Sequence, residues 1–148
     1  MPTENVELAR RIAERMGAGD FVAALADEER FGEMAAALEP FVEPEFEIEM
    51  IGPEYQPQRL AYRGLDGYVE AWRDWLAPYE SYRAELEEFV DAGDRVVLLV
   101  RQVGRTKGAS VPIEAESAVV FVFRAGKLAR LEFHLDRERA RKAAGLSE

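Results

Sequence analysis

Residues Tyr82–Leu135 read YRAELEEFVDAGDRVVLLVRQVGRTKGASVPIEAESAVVFVFRAGKLARLEFHL. Apolar and polar side chains alternate along much of this stretch, the period that sends successive residues to opposite faces of a strand. Three short breaks interrupt it: Ala92-Gly93, Lys107-Gly108 and Ala125-Gly126. Glycine supplies the left-handed backbone that tight turns need, so these breaks read as hairpin turns. The spacing predicts four strands, Tyr82–Asp91, Arg95–Thr106, Val111–Arg124 and Lys127–Leu135, joined as an antiparallel meander. Strands this long bend, and Gly104 within one of them marks a candidate bulge.

Upstream the period changes. Leu8, Ala9, Ile12, Ala13 and Met16 share one face at helical spacing, with Thr3 or Asn5 as cap and Gly17 and Gly19 as stop. Asp20 caps a short helix through Phe21, Leu25 and Ala26. A third helix, Glu28 to Leu38, carries Phe31, Met34, Ala35 and Leu38, and Pro40 and Pro44 prevent its continuation. In FEIEMI, Phe46, Ile48 and Met50 alternate with Glu47 and Glu49 as in a strand. The stretch from Gly52 to Gly64, with two prolines, reads as a loop. Leu65, Tyr68, Val69, Trp72 and Leu76 restore a helical stripe, ended by Pro78. Asp136 caps a last helix, which Gly145 closes. Helices, a strand, a helix and then a meander make the class α+β, in one domain spanning 1–148. A long curved sheet packed on helices tends to enclose an apolar pocket between the layers.

Composition narrows the function. With 48% hydrophobic and 32% charged residues, the chain is expected to fold rather than stay disordered. No run approaches the length of a membrane span, and MPTENVELARR has no apolar core of a secretory signal. There is no cysteine, which excludes disulfides and thiol chemistry and suits a cytoplasmic location. Nineteen basic against 29 acidic residues give a net charge of −10, so phosphate backbones are repelled and nucleic acid is not an expected partner. One histidine and scattered carboxylates offer no zinc spacing, so no metal is expected. GLDG and GRTKG lack the phosphate-loop pattern, and no cofactor is expected.

Four segments together resemble the SnoaL-like proteins of the nuclear transport factor 2-like superfamily. They are ARRIAERMGAGDF (9–21), YRGLDGYVEAWRDWLAPYE (62–80), FVDAGDRVVLLVRQVGR (89–105) and GKLARLEFHLDRERARKAAGL (126–146). The resemblance implies a cone-shaped, cystatin-like fold, a curved mostly antiparallel sheet wrapped by the N-terminal helices. It implies a pocket between helices and sheet, toward which Tyr68 and Trp72 point, with Tyr62 and Trp75 beside them. The same aromatic stripe is also what a plain core would contain.

The resemblance does not fix a reaction. The superfamily's isomerases need a carboxylate base and an oxyanion hole of tyrosine and protonated aspartic acid. Carried over by motif, those groups fall near Met50, Ile12 and Val119, all apolar. The aspartates of the related epoxide hydrolases fall near Val103 and Phe133, again apolar, although Arg101 suits their arginine. Arg101 has two readings: a cross-strand ion pair with Glu114 or Glu116, or a ligand contact with Glu116 as base. His134, the sole imidazole, shares a strand face with Arg130 and Glu132 and is expected to look away from the pocket toward a dimer surface or solvent. The candidate ligand contacts are thus Tyr62, Tyr68, Trp72, Trp75 and Arg101, and the weaker catalytic candidates Arg101, Glu116 and His134. The leading expectation is a protein that binds a small hydrophobic molecule. The alternatives are an isomerase, cyclase or hydrolase of polycyclic or terpenoid substrates, and a non-catalytic dimeric module. A homodimer is expected because outer-face residues such as Phe121 or Phe123 cannot stay in water.

Overall fold

The computed structural model describes residues 4–15, 19–51 and 59–146. Three helices open the chain: α1 (Glu4–Arg15), α2 (Phe21–Ala26) and α3 (Glu28–Ala36). A single 3₁₀ turn, Glu39–Phe41, leads into strand β1 (Val42–Ile51). Strand β2 (Arg59–Arg63) and helix α4 (Gly64–Leu76) follow. The meander is β3 (Tyr79–Ala92), β4 (Arg95–Thr106), β5 (Ile113–Arg124) and β6 (Lys127–His134), and α5 (Arg137–Ala143) ends the described chain.

The strands form one sheet in the order β2-β1-β6-β5-β4-β3. Every pairing is antiparallel except β1 with β6, which run parallel with Ile48 opposite Leu131. That pairing joins strands some 80 residues apart, so it carries no local signal and the hairpins alone do not reveal it. The sheet is curved and open, not a closed barrel: among the described residues, β2 and β3 are its edges. No helix is long and apolar enough to cross a membrane among the described residues.

Two features differ from the sequence reading. The stretch expected as a loop contains β2, which pairs with β1 from Glu47–Arg63 to Ile51–Arg59. Gly104 is not a bulge. Its partner across β4–β5 is Ile113, in register, and a β-carbon there would lie 2.5 Å from the Tyr79 ring. The glycine makes room for an aromatic ring crossing the strand. The register shifts lie in β3 between Tyr79 and Ser81 and between Leu86 and Glu88, in β1 between Val42 and Glu47, and in β6, where Val122 pairs with Arg130 and Phe123 with Leu128. The expected helical contact of Met16 and the stop at Gly17 lie outside the described residues.

These irregularities sort the side chains. The inner face carries Phe46, Ile48, Met50, Leu128, Leu131, Phe121, Phe123, Val96, Leu98, Val100 and Tyr82, packed against helices α1 to α4 in the main core. Leu128 and Leu131 both face inward because Ala129 is the extra residue of a bulge. Phe121 and Phe123 are therefore core residues, 1% and 5% exposed, rather than outer-face ones. The outer-face apolar residues are Val97, Leu99, Ala118 and Val120, and α5 covers them through Ala140 and Ala144. Phe121 and Phe123 therefore give no reason of their own to expect a homodimer, and the chain covers the outer apolar patch with its own helix.

Each docking has a polar fastening. Asp20 caps α2 by accepting from the backbone N–H of Val22 at 2.9 Å, and the same oxygen accepts from the Tyr82 N–H of β3 at 3.1 Å. Asn5, proposed as a cap, lies within α1 and donates to the Gly93 carbonyl at 2.9 Å. Asp136 caps α5 through the N–H groups of Glu138 and Arg139. Arg137, beside it, donates to the carbonyls of Val100 at 2.9 Å and Ser117 at 3.1 Å. An uncompensated charge at Ala140 would strip α5 from the sheet. Ala140→Glu is expected to lower the unfolding free energy by about 3 kcal/mol, and Asp136→Ala by about 1 kcal/mol through the lost cap. Urea denaturation followed by circular dichroism checks both.

Candidate functional site

Between α1, α2 and α4 and the inner face lies a cavity of about 60 Å³. Its walls are Ala13, Phe21, Trp72 and Trp75 from the helical side, and Tyr82, Ala84, Leu86, Leu98, Val100, Val119, Phe121, Leu131 and Phe133 from the strands. Polar groups enter it from Tyr82, Gln102 and Ser117, and Ala118 and His134 complete its border. No aspartate or glutamate lines it among the described residues. A wider groove, about 660 Å³, runs past Pro40, Glu43, Arg63, Asp66 and Lys127. It is an open surface hollow in which Val42, Pro44 and Leu65 are mixed with charged side chains, so it is less shielded from water than the inner cavity.

Trp72 sets the spacing of the layers. Its ring meets Phe21 of α2 edge-on with centroids 5.1 Å apart, and Phe133 of β6 at 5.6 Å. Tyr68 and Tyr82 complete the ring of aromatics at 6.5 Å and 6.2 Å. On the far side of Trp72 is a second void of only about 10 Å³, between Phe31, Leu38 and Tyr68. That is about one water molecule.

The polar groups form a row across three strands. Ala84 of β3 pairs with Gln102 of β4, and Val100, two residues along, pairs with Ser117 of β5. Gln102 and Ser117 are therefore diagonal neighbours on the inner face. The Tyr82 hydroxyl donates to the Gln102 Oε1. Burial pushes the Tyr82 phenol above its ordinary range, against an opposing hydrogen bond from Trp75. Tyr82 thus stays a neutral donor at physiological pH.

Of the expected ligand contacts, Trp72 and Trp75 line the cavity. The other three lie elsewhere. Tyr68 is buried beside the smaller void. Tyr62 is half-buried, with its hydroxyl donating to Asp74 at 2.6 Å. Arg101 sits on the outer face, two residues from Leu99 of the α5-covered patch. There it pairs with Glu87 at 3.3 Å, Glu114 at 3.4 Å and Glu116 at 3.9 Å. Glu116 is correspondingly exposed and also faces Arg137 at 3.5 Å. Neither residue lines the cavity. The sequence reading overlooked Tyr82, Gln102 and Ser117. Gln102 was open to detection, since it shares strand parity with Val96, Leu98 and Val100 while Arg101 shares it with Val97 and Leu99. The carboxylates opposite Arg101 indicated which set faces out.

His134 shares the outer-face register, opposite Ala118, and its Nε2 lies 2.8 Å from Glu132 Oε1. It is only 5% exposed, so it is buried rather than turned to solvent. Its Nδ1 has neither a hydrogen-bond partner nor contact with open space. Glu132 also accepts from Arg130 at 2.7 Å, and Arg130 reaches Glu49 at 2.6 Å. Desolvation raises the Glu132 pKa, but the hydrogen bonds from His134 and Arg130 outweigh it and lower the value to about 2.

The positions that would carry isomerase chemistry are hydrocarbon in the fold as in the sequence: Ile12 and Met50 are core residues. Val119 and Phe133 present apolar walls to the cavity.

A family model described as the SnoaL-like domain matches residues 9–131. No curated protein matches the chain. Several solved structures share the fold. A nuclear transport factor 2-like protein of unknown function from Burkholderia pseudomallei is 16% identical, with TM-score 0.61, covering 95% of this chain and 97% of its own. TerC, co-crystallised with polyporic acid, is 18% identical with TM-score 0.58, covering 97% and 99%. A hypothetical protein with a ketosteroid isomerase-like fold from Catenulispora acidiphila, in complex with trimethylamine, is 14% identical with TM-score 0.57, covering 92% and 93%.

The lowered Glu132 pKa sets an acid limit on stability. Its folded value lies below the ordinary 4.5, so the stabilisation is complete above about pH 4.5 and is lost as pH falls toward 2. Glu132 is 13% exposed, and the shift corresponds to about 3 kcal/mol. Urea unfolding at pH 7, 4 and 2 should show Glu132→Gln less stable than the parent at pH 7 by about this amount, with the gap closing by pH 2.

Proposed function

Since this chain belongs to the SnoaL-like domain family, whose fold alone names no reaction, we propose that it binds a small, compact, mostly apolar molecule in the cavity beside Trp72. One observation carries this reading: the cavity is lined by aromatic and aliphatic side chains from seven elements, α1, α2, α4 and β3 to β6, with a short polar row along one wall. Ligand sites combine these same features. The size suits a compact molecule. About 60 Å³ corresponds to the space of roughly four or five waters. Two structural relatives were crystallised with small organic molecules, trimethylamine and polyporic acid, which favours the same use of the fold here.

An isomerase, cyclase or hydrolase of polycyclic or terpenoid substrates is less well supported. Such substrates are several times larger than the cavity. General base catalysis also needs a carboxylate or imidazole within reach of the substrate proton, and the described cavity wall has no carboxylate. The imidazole of His134 is engaged with Glu132 instead.

Both tryptophans of the chain border the cavity, so their indole N–H resonances report its occupancy. Titration of ¹⁵N-labelled protein with methylenecyclopentane should shift both signals saturably. Ala84→Leu, which fills the cavity from β3, should weaken that binding at least tenfold while the protein stays folded. Unmoved indole signals at the solubility limit of the probe would refute the reading.

A further inference from the structure

We propose that the cavity selects a neutral ligand carrying a hydrogen-bond acceptor, such as a ketone or ester carbonyl, and that Gln102 and Ser117 are the residues that recognise it. This rests on the reading of the cavity as a binding site and adds the chemical class of its ligand.

Two donors on the cavity wall have no protein acceptor among the described residues. The Gln102 amide has two hydrogen-bonding ends. Tyr82 occupies Oε1, which turns the Nε2 end away from Tyr82. No described residue accepts from that Nε2. The Ser117 hydroxyl likewise has no partner among the described residues, since the contact from Arg137 is to the Ser117 backbone carbonyl. Both residues are buried, at 7% exposure each. Yet the only described side-chain polar atom sealed from open space without a partner is His134 Nδ1. The Gln102 amide nitrogen and the Ser117 hydroxyl therefore open onto the cavity they line.

Geometry brings the two donors together. The β4–β5 register makes them diagonal neighbours, both facing inward. A buried donor without an acceptor is costly, so an occupant that supplies one oxygen to both is favoured over one that supplies none. The remaining wall is aromatic and aliphatic and contains no carboxylate, so it offers a cationic ligand no counter-charge. It contains no described Lys or Arg either, and His134 at its border is engaged by Glu132 through Nε2, so an anion finds no free cation among the described lining residues. Two converging donors in a wall without charged side chains from Asp, Glu, Lys or Arg favour a neutral acceptor on a compact apolar frame.

Arg137 and Tyr82 act as positioning residues. Tyr82 fixes the amide orientation. Arg137 clamps the carbonyls of Val100 and Ser117 from the opposite face, holding β4 and β5 where the two donors converge.

The test compares cyclopentanone with methylenecyclopentane, which share a ring and differ in the oxygen. Both are titrated into the full chain and followed by the two indole signals and by the side-chain amide signal of Gln102. Cyclopentanone should move the Gln102 amide protons downfield, and methylenecyclopentane should not. Gln102→Met should lower the ketone-to-alkene affinity ratio at least tenfold, and Ser117→Ala several-fold. Should Gln102→Met fail to fold, the Ser117→Ala ratio and the Gln102 amide shift in the unaltered protein still decide the matter. If both probes bind with a ratio that neither substitution changes, or the Gln102 amide stays still with ketone bound, the proposal is overturned while the binding site stands. If neither probe binds, the binding site itself falls and the proposal with it.

Discussion

The packing of Trp72 governs the structure. Its indole is wedged between α2 and β6 and touches aromatic rings from four elements, its own helix included. Edge-to-face contacts hold ring centroids several ångströms apart, so the helices cannot collapse fully onto the sheet. The gap that remains beside Trp72 is the cavity. The same ring separates that cavity from the minor void near Tyr68, so the interior is divided rather than continuous. Asp20 reinforces the arrangement by capping α2 and holding the Tyr82 backbone with one oxygen.

The two faces of the sheet follow opposite physics. The inner face is hydrocarbon apart from one polar row. The outer face carries charge in two groups, one around Arg101 and Arg137, the other around Arg130. Most of the first group is exposed, and ion pairs of that kind contribute little to stability individually. Arg130, Glu49 and Glu132 are better shielded, and there the lowered Glu132 pKa shows the coupling has energetic weight. Between these groups α5 lays Ala140 and Ala144 on the valines of β4 and β5. Small residues at that contact let the helix backbone approach closely, which is how a short helix seals the patch.

Function in this fold is decided by a few inward positions. Where isomerase chemistry would need acids, this chain has Ile12, Met50 and Val119. The polar side chains on the cavity wall are instead Tyr82, Gln102 and Ser117, all of them neutral. Charged groups that looked like chemistry in the sequence, Arg101 and Glu116, neutralise each other on the outside.

The sequence by itself determined the α+β class, the four-stranded meander with its glycine turns, the helix caps at Asp20 and Asp136, and the family resemblance. Each depends on local periodicity or on turn chemistry within a few residues. The resemblance also pointed to Trp72 and Trp75, which line the cavity, together with Tyr62, Tyr68 and Arg101, which do not. Tertiary structure alone decided the parallel β1–β6 pairing, β2, and the burial of Phe121 and Phe123 inside rather than outside. All of these turn on strand register, and one extra residue in a bulge, at Glu87 or Ala129, reverses the face of everything beyond it. Periodicity reveals two faces, but only packing against helices says which is inner.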